Sequence, residues 1–280
     1  MVANDTLPAE AGTPNPGVEN PPAQMKFCSL CTWGCDCLPI YHVNIRTAFF
    51  SVIRPLLSGA LLGAIGLNAA PNDGFRPLFN GHDLSGWVNV NCAPETWTVR
   101  DGLIHCTGLP TGALRTTRQY ENFILEVEWR HLSVGGNSGV FIWGSPVAAP
   151  GVPFLRGIEV QVLDHGYNAS GKNEWYTTHG DVFPIHGASM KPFGRHNGMR
   201  SFPSSEHSKG SPEWNHYQIV GTNGVLRLSV NGTEVSGGAD CDYRKGYLAL
   251  ESEGGPVEFR NLRIHVLKIG PMFPKRADEN

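Results

Sequence analysis

No excess of basic charge marks this chain: 22 Lys and Arg stand against 25 Asp and Glu over 280 residues, a formal net charge of −3. Without a basic patch or a long basic run there is no electrostatic footprint for nucleic acid, and that partner is excluded. Long amphipathic helical patterns are also missing from residue 71 onward; 34 glycines and 21 prolines instead punctuate short segments. Such a composition belongs to an all-β protein. Seryl-hydrolase motifs, phosphate-binding Gly loops and dinucleotide fingerprints are absent, and GGNSG at residues 135 to 139 lacks the strand-turn-helix context of a phosphate loop. Its glycines suit a turn that aims Asn137. A hydrophobic share of 40% fits one good-sized domain or two small ones and excludes a disordered chain.

The uncharged stretch at residues 56 to 67 falls short of the roughly 20 residues of a spanning helix. Preceded by Arg46 and Arg54 and followed by Ala69 and Ala70, it matches an export signal. Residues 46 to 70 are therefore expected to be a signal peptide cleaved near Ala70, leaving no stable membrane span and sending the bacterial protein to the periplasm or the extracellular space. Residues 1 to 24, rich in Pro, Ala, Asn and Glu, cannot bury enough apolar surface to fold. A signal that begins so late is explained by a start placed too early, so residues 1 to 45 are expected to be disordered or mis-assigned. Cys28, Cys31, Cys35 and Cys37 have no second ligand pair at zinc-ribbon spacing, which argues against a metal role. In an exported protein Cys92 and Cys106 could bridge neighbouring strands and leave Cys241 free, a pairing that spacing leaves open.

The folded part is expected over residues 71 to 269, with residues 270 to 280 as a tail. WTVR and LIHC flank Asp101-Gly102, and Asn223-Gly224 and Asn231-Gly232 separate later strands; Asp-Gly and Asn-Gly are the strongest short hairpin signals. In ENFILEVEWRHL (121 to 132) Phe123, Leu125, Val127 and Trp129 alternate with Glu126, Glu128 and Arg130. About a dozen such strands with no intervening helices imply two packed antiparallel sheets, a β-sandwich. Between them residues 165 to 212 carry little regular structure. A long loop of this kind in a compact domain is more often functional than idle, and its Trp175, Tyr176, His179, Asp181, His186, Lys191, Arg195, His196 and Arg200 are expected to wall a cleft over one sheet.

The segments PLFNGHDLSGW (77 to 87), WTVRDGLIHC, ENFILEVEWR, GGNSGVFIW, GIEVQVLD (157 to 164), EWNHYQIV, LSVNG and GYLALESEGGPVEFRNLRI occur in an order and spacing that resemble the 3-keto-disaccharide hydrolase domain family, formerly a domain of unknown function. The resemblance runs from about residue 75 to 267. It implies a concanavalin A-like jelly-roll sandwich and activity on glycosides oxidised to a ketone at the third sugar carbon.

Such a ketone acidifies the hydrogen on the adjacent carbon, so a base can remove it while the neighbouring glycosidic oxygen leaves, and water then adds back. The chemistry needs a base, an acid for the leaving oxygen and an electropositive group for the enolate. A divalent metal on oxygen and imidazole ligands would serve the last role. Glu159, His179 and Asp181 are the expected catalytic residues, with Glu159 and His179 as the metal ligands. Arg115, Asn137, Gln161, Asp164, Trp175 and Lys191 are expected to contact the carbohydrate. For each a plainer role is available: Glu159 and Gln161 as a solvated strand face, His179 as a loop histidine, Asp181 as a turn former. Glu126, Glu128, Glu251 and Glu253 read as solvated carboxylates unless their face is the concave one, and Arg260 as the partner of a sheet acid.

Two other functions compete. A laminarinase-like retaining hydrolase would place Glu-x-Asp-x-x-Glu on one strand, where this chain has Glu159, Gln161 and Asp164. Its carboxyls must lie about 5 to 5.5 Å apart, whereas five residues of regular strand span roughly 16 Å and point odd and even positions to opposite faces. A non-catalytic lectin-like module would use Trp143, Trp175 and Tyr176 as stacking platforms and need no matched acid and base.

Overall fold

The computed structural model describes residues 73 to 168 and 174 to 268. The expected signal peptide, the cysteines at 28, 31, 35 and 37, and the tail lie outside the described residues. In chain order the strands are β1 (Arg76–Pro77), β2 (Trp87–Val90), β3 (Trp97–Arg100), β4 (Leu103–Cys106), β5 (Gly112–Tyr120), β6 (Phe123–His131), β7 (Asn137–Gly144), β8 (Gly157–Leu163) and β9 (Val182–Ile185). They continue as β10 (Lys191–Pro192), β11 (His196–Asn197), β12 (Arg200–Ser201), β13 (Asn215–Thr222), β14 (Val225–Val230), β15 (Thr233–Ala239), β16 (Gly246–Ser252) and β17 (Val257–Val266). Two 3-10 turns, Pro94–Thr96 and His165–Asn168, are the only helical elements among the described residues.

All pairings are antiparallel and fall into two sheets. One runs β10-β15-β14-β13-β6-β17-β4-β3, with β1 also on β17; the other runs β11-β12-β9-β8-β7-β16-β5-β2. Three tight hairpins set the register, and each uses the expected dipeptide with both residues left-handed: Asp101 and Gly102 (φ 50° and 75°), Asn223 and Gly224 (51° and 77°), Asn231 and Gly232 (49° and 91°). That geometry is a type I′ turn, whose twist matches the flanking strands and which side chains other than Asn, Asp and Gly resist.

The core lies between the sheets. From β6 come Phe123, Leu125, Val127 and Trp129, from β13 Tyr217 and Ile219, and from β17 Phe259 and Ile264; Val140, Ile142, Ile158, Val160, Val162, Leu248 and Leu250 meet them from the other sheet. Each fully buried side chain of this size stabilises by roughly 1.5 to 3 kcal/mol. Glu126, Glu128 and Arg130 point to the outer face, where Arg263 pairs with Glu126 at 2.5 Å, Arg260 with Glu128 at 2.6 Å and Arg130 with Glu258 at 2.8 Å. Arg260 thus holds the structural role its position suggested. Cys92, Cys106 and Cys241 are all free thiols.

The stretch from 165 to 212 is more ordered than its composition suggests. Its short strands β9, β11 and β12 extend the eight-stranded sheet beyond β8, and β10 caps the edge of the other at β15. Periodicity misses them because a two-residue strand has no period to read.

Candidate active site

Strand β8 is buried along its whole length, so both of its faces are covered. Ile158, Val160 and Val162 fill the core, while Glu159, Gln161 and Leu163 line a cleft of about 280 Å³ on the opposite face. Strand β16 does the same with Leu248 and Leu250 inward and Glu251 toward the cleft, where Glu253 follows at the strand's end. Asn137 and Phe154 add to these, and the insertion supplies the other walls: Tyr167, Tyr176, Phe183, Ile185, His186 and Arg200. The expectation that it walls a cleft holds.

Three glutamates converge here. Glu159 is 6% exposed and Glu251 1%. Burial raises the Glu159 carboxyl to about 8, aided by the charges of Glu253 and Asp181 and opposed by Arg200. Burial likewise lifts Glu251 well above the ordinary carboxylate range, with Glu159 and Glu253 adding to it, and raises Glu253 against the hydrogen bond from Asn137. Like charges this crowded cannot all ionise, so the cluster holds protons at neutral pH. The Oε2 of Glu251 is buried with no hydrogen-bond partner, which adds to the cost of ionising this carboxyl. Room for Glu159 comes from Gly139 on β7, whose added Cβ would lie 2.7 Å from Oε1.

A polar chain orients these acids. Asn137 Nδ2 donates to Glu253 Oε2 at 2.6 Å, Gln161 Nε2 donates to Asn137 Oδ1 at 2.9 Å, and Arg200 Nη1 donates to Gln161 Oε1 at 3.3 Å and to Asp181 Oδ2 at 3.1 Å. Asp181 is fully buried and also takes the Thr177 backbone N–H at 2.8 Å and the Thr177 hydroxyl. Burial nevertheless leaves its pKa raised. Arg200 also lies over the Phe183 ring, 3.3 Å from its centroid, so the guanidinium is fixed in direction. Tyr217 donates its hydroxyl to the Gln161 carbonyl at 2.9 Å and steadies β8 from the core side.

Of the residues expected from sequence, Glu159, Gln161, Asn137, Tyr176, His186 and Arg200 line the cleft, and Asp181 stands behind it holding Arg200. The others stand elsewhere. His179 lies in a neighbouring hollow, with Nδ1 2.9 Å from Ser208 Oγ and Nε2 3.4 Å from Glu206. Asp164 is locked by the backbone N–H groups of Gly135, Gly166 and Ser211, which outweigh burial and keep its pKa low. That takes the third acid of the laminarinase pattern out of the cleft. Arg115 donates to the carbonyls of Pro146 and Thr116 and covers Tyr247, Lys191 is exposed on an edge strand, and Trp175 is 73% exposed outside the cleft lining. Trp143, a stacking platform in the lectin reading, is in the core. Glu159 and His179 therefore do not share a cation site, and no group of three His, Cys, Asp or Glu side chains among the described residues is placed to hold a metal. The fixed positive charge in the cleft is Arg200.

The residues missed as site groups are Glu251 and Glu253, read from sequence as solvated carboxylates. For the two glutamates a signal existed: Glu251 on β16 and Glu253 just past its end are two apart in extended chain, so they share a face, and Asn137 bridges to Glu253 from the neighbouring strand.

The family model described as the 3-keto-alpha-glucoside-1,2-lyase-like domain matches residues 74 to 265, which takes in both sheets and every residue of the cleft. The chain belongs to this family. A protein from Bacteroides thetaiotaomicron named 3-keto-disaccharide hydrolase is 24% identical over 230 residues, covering 70% of this chain and 79% of that protein. The fold is shared with two crystal structures of candidate glycosyl hydrolases from Parabacteroides distasonis. One superposes with a TM-score of 0.55 at 22% identity, covering 70% of this chain and 94% of the other. For the second the TM-score is 0.51 at 23% identity, with 69% and 99% covered.

Proposed function

We propose that this lyase-like domain cleaves the glycosidic bond of 3-keto-glycosides by elimination followed by hydration. The observation that carries this is the crowding of Glu159, Glu251 and Glu253 around one cleft, where burial favours the protonated form of Glu159 and the Asn137 hydrogen bond favours the ionised form of Glu253. Glu253, whose carboxylate is favoured by the Asn137 hydrogen bond, is the base. It takes the proton from carbon 2, and the electron pair of that C–H bond passes to the ketone oxygen at carbon 3.

The enolate oxygen faces Arg200, whose remaining guanidinium donors are available to it beyond the Nη1 contacts to Asp181 and Gln161. The enolate then re-forms the ketone, its electrons make the C1–C2 double bond, and the C1–O bond breaks with its pair on the leaving oxygen. Glu159, held protonated by burial, gives that oxygen its proton. Water adds to carbon 1 and a proton returns to carbon 2, so the net change is hydrolysis. His179 takes no part in these steps, and none of them is routed through a metal.

The test is release of a chromogenic leaving group by the full chain from a 3-keto-glucoside and from the unoxidised glucoside. Turnover of the ketone alone, lost in Glu159→Gln, is expected. Equal cleavage of both sugars would refute the proposal.

A further inference from the structure

The cleft has two unlike ends, and strand pairing orders them. On β8 Leu163 pairs with Asn137, which bridges to Glu253; further back along the strand Glu159 pairs with Phe183, and beyond it Gly157 pairs with Ile185. At about 3.3 Å per residue the Glu253 row and the Ile185 row lie roughly 20 Å apart. Glu159 leans toward the Glu253 end, because its Oε1 lies over Gly139, the partner of Gln161.

Polar groups crowd that end: Asn137, Gln161 and Glu251, with Tyr167 and Tyr176 meeting edge to face, their ring centroids 5.8 Å apart. Beyond Glu159 the lining turns apolar. Phe154 enters from the connection between β7 and β8 and stacks on His186, with ring centroids 5.7 Å apart and an interplanar angle of 10°. Phe154 and Ile185 rest on a small apolar cluster of Ala113, Phe141, Leu155 and Ala249. The wall is flat and reachable, since Phe154 is half-buried and His186 exposed.

We infer that this end is a subsite for a planar, apolar leaving group, so that the preferred 3-keto-glycosides carry an aryl aglycone. The inference rests on the proposed function and deepens it: with Glu253 as base at carbon 2 and Glu159 as acid on the glycosidic oxygen, the leaving group lies on the Glu159 side of the sugar, toward Phe154, Ile185 and His186. A second sugar there would bring several hydroxyls to a wall on which His186 is the only polar side chain beyond Glu159, and polar groups buried without partners are costly. An aromatic ring asks for no partner and gains by stacking against Phe154 and His186.

The experiment compares a phenyl 3-keto-glucoside with a 3-keto-disaccharide on the wild type and two variants of the full chain. His186 has a left-handed backbone (φ 52°), which asparagine tolerates, so His186→Asn keeps the turn and removes the ring from an exposed position. Phe154→Leu keeps apolar volume and removes the plane. Each variant is expected to raise KM for the phenyl substrate about tenfold more than for the disaccharide, with kcat moving far less. Equal changes for the two substrates in either variant, no change, or a wild type that cleaves the disaccharide and not the phenyl substrate would overturn the subsite. Should the wild type cleave neither ketone, the proposed function fails by itself, and the subsite is then read by calorimetry with phenyl and methyl 3-keto-glucosides. A roughly tenfold tighter binding of the phenyl sugar that His186→Asn removes would uphold it; equal or undetectable binding of the two sugars, or a preference that survives the substitution, would overturn it.

Discussion

Replacing Glu159 by Gln should change how stability depends on pH, in a direction its burial dictates. In the folded protein this carboxyl titrates at about 8, against 4.5 for an ordinary glutamate. A folded pKa raised above the unfolded one means that the native state binds more protons between those values. The stability associated with that proton is fully present below about 4.5 and is lost as pH rises through about 8. At about 1.36 kcal/mol for each unit of pKa, the loss is on the order of 5 kcal/mol, an upper figure because the cluster shares its protons. Glutamine keeps the shape and cannot ionise. It also removes one of the charges that raise Glu251, so the variant's residual pH slope should flatten further. Urea unfolding at intervals from pH 5 to 8.5 measures this. The wild type should lose several kcal/mol more than Glu159→Gln across the range; parallel curves for the two proteins would refute the buried-acid description.

Other outcomes follow from the same geometry. Gly139→Ala sets a Cβ 2.7 Å from Glu159 Oε1 and should lower kcat about 100-fold by displacing the carboxyl, while circular dichroism stays native. Arg200→Lys cannot reproduce the fork toward Asp181 and Gln161 and should cost about 10² to 10³ in kcat, with a drop in Tm from the buried Asp181 left poorly paired. Tyr217→Phe removes the hydroxyl that steadies the Gln161 carbonyl and should cost about 1 kcal/mol in urea unfolding. Burial lowers the pKa of His131, so its contribution is present above the ordinary value of 6.5 and is lost as pH falls below it; His131→Gln should blunt acid destabilisation in a pH series of melting curves.

The sandwich was legible because its signals are local. Asp101-Gly102, Asn223-Gly224 and Asn231-Gly232 need only their own backbone angles, and the alternation in β6 needs only one buried face. Glu159 and Gln161 were found for the same reason, as polar residues on one side of a strand whose other side is apolar. Their companions were harder to see. Glu251 and Glu253 look identical in sequence to Glu126 and Glu128; what separates them is that one outer face carries arginines to pair with and the other is roofed by the insertion. Arg200 comes from a two-residue strand and reaches the cleft through β9, a neighbour no periodicity announces. His179 and Asp164 have suitable chemistry but point away from the glutamates, His179 into the second hollow and Asp164 onto three backbone N–H groups. Residue type was a fair guide to what a group can do and a poor one to where the irregular chain delivers it.

The most direct test of the acid and base pair is to run the reaction of a 3-keto-glucoside in deuterated water and locate the label in the sugar product. Deuterium at carbon 2 during turnover, abolished with cleavage in Glu253→Gln, is the expected result, because elimination removes that hydrogen and hydration replaces it from solvent. A cleaved sugar that retains its original hydrogen at carbon 2, after correction for spontaneous exchange, would mean direct displacement at carbon 1 and would contradict the proposed chemistry.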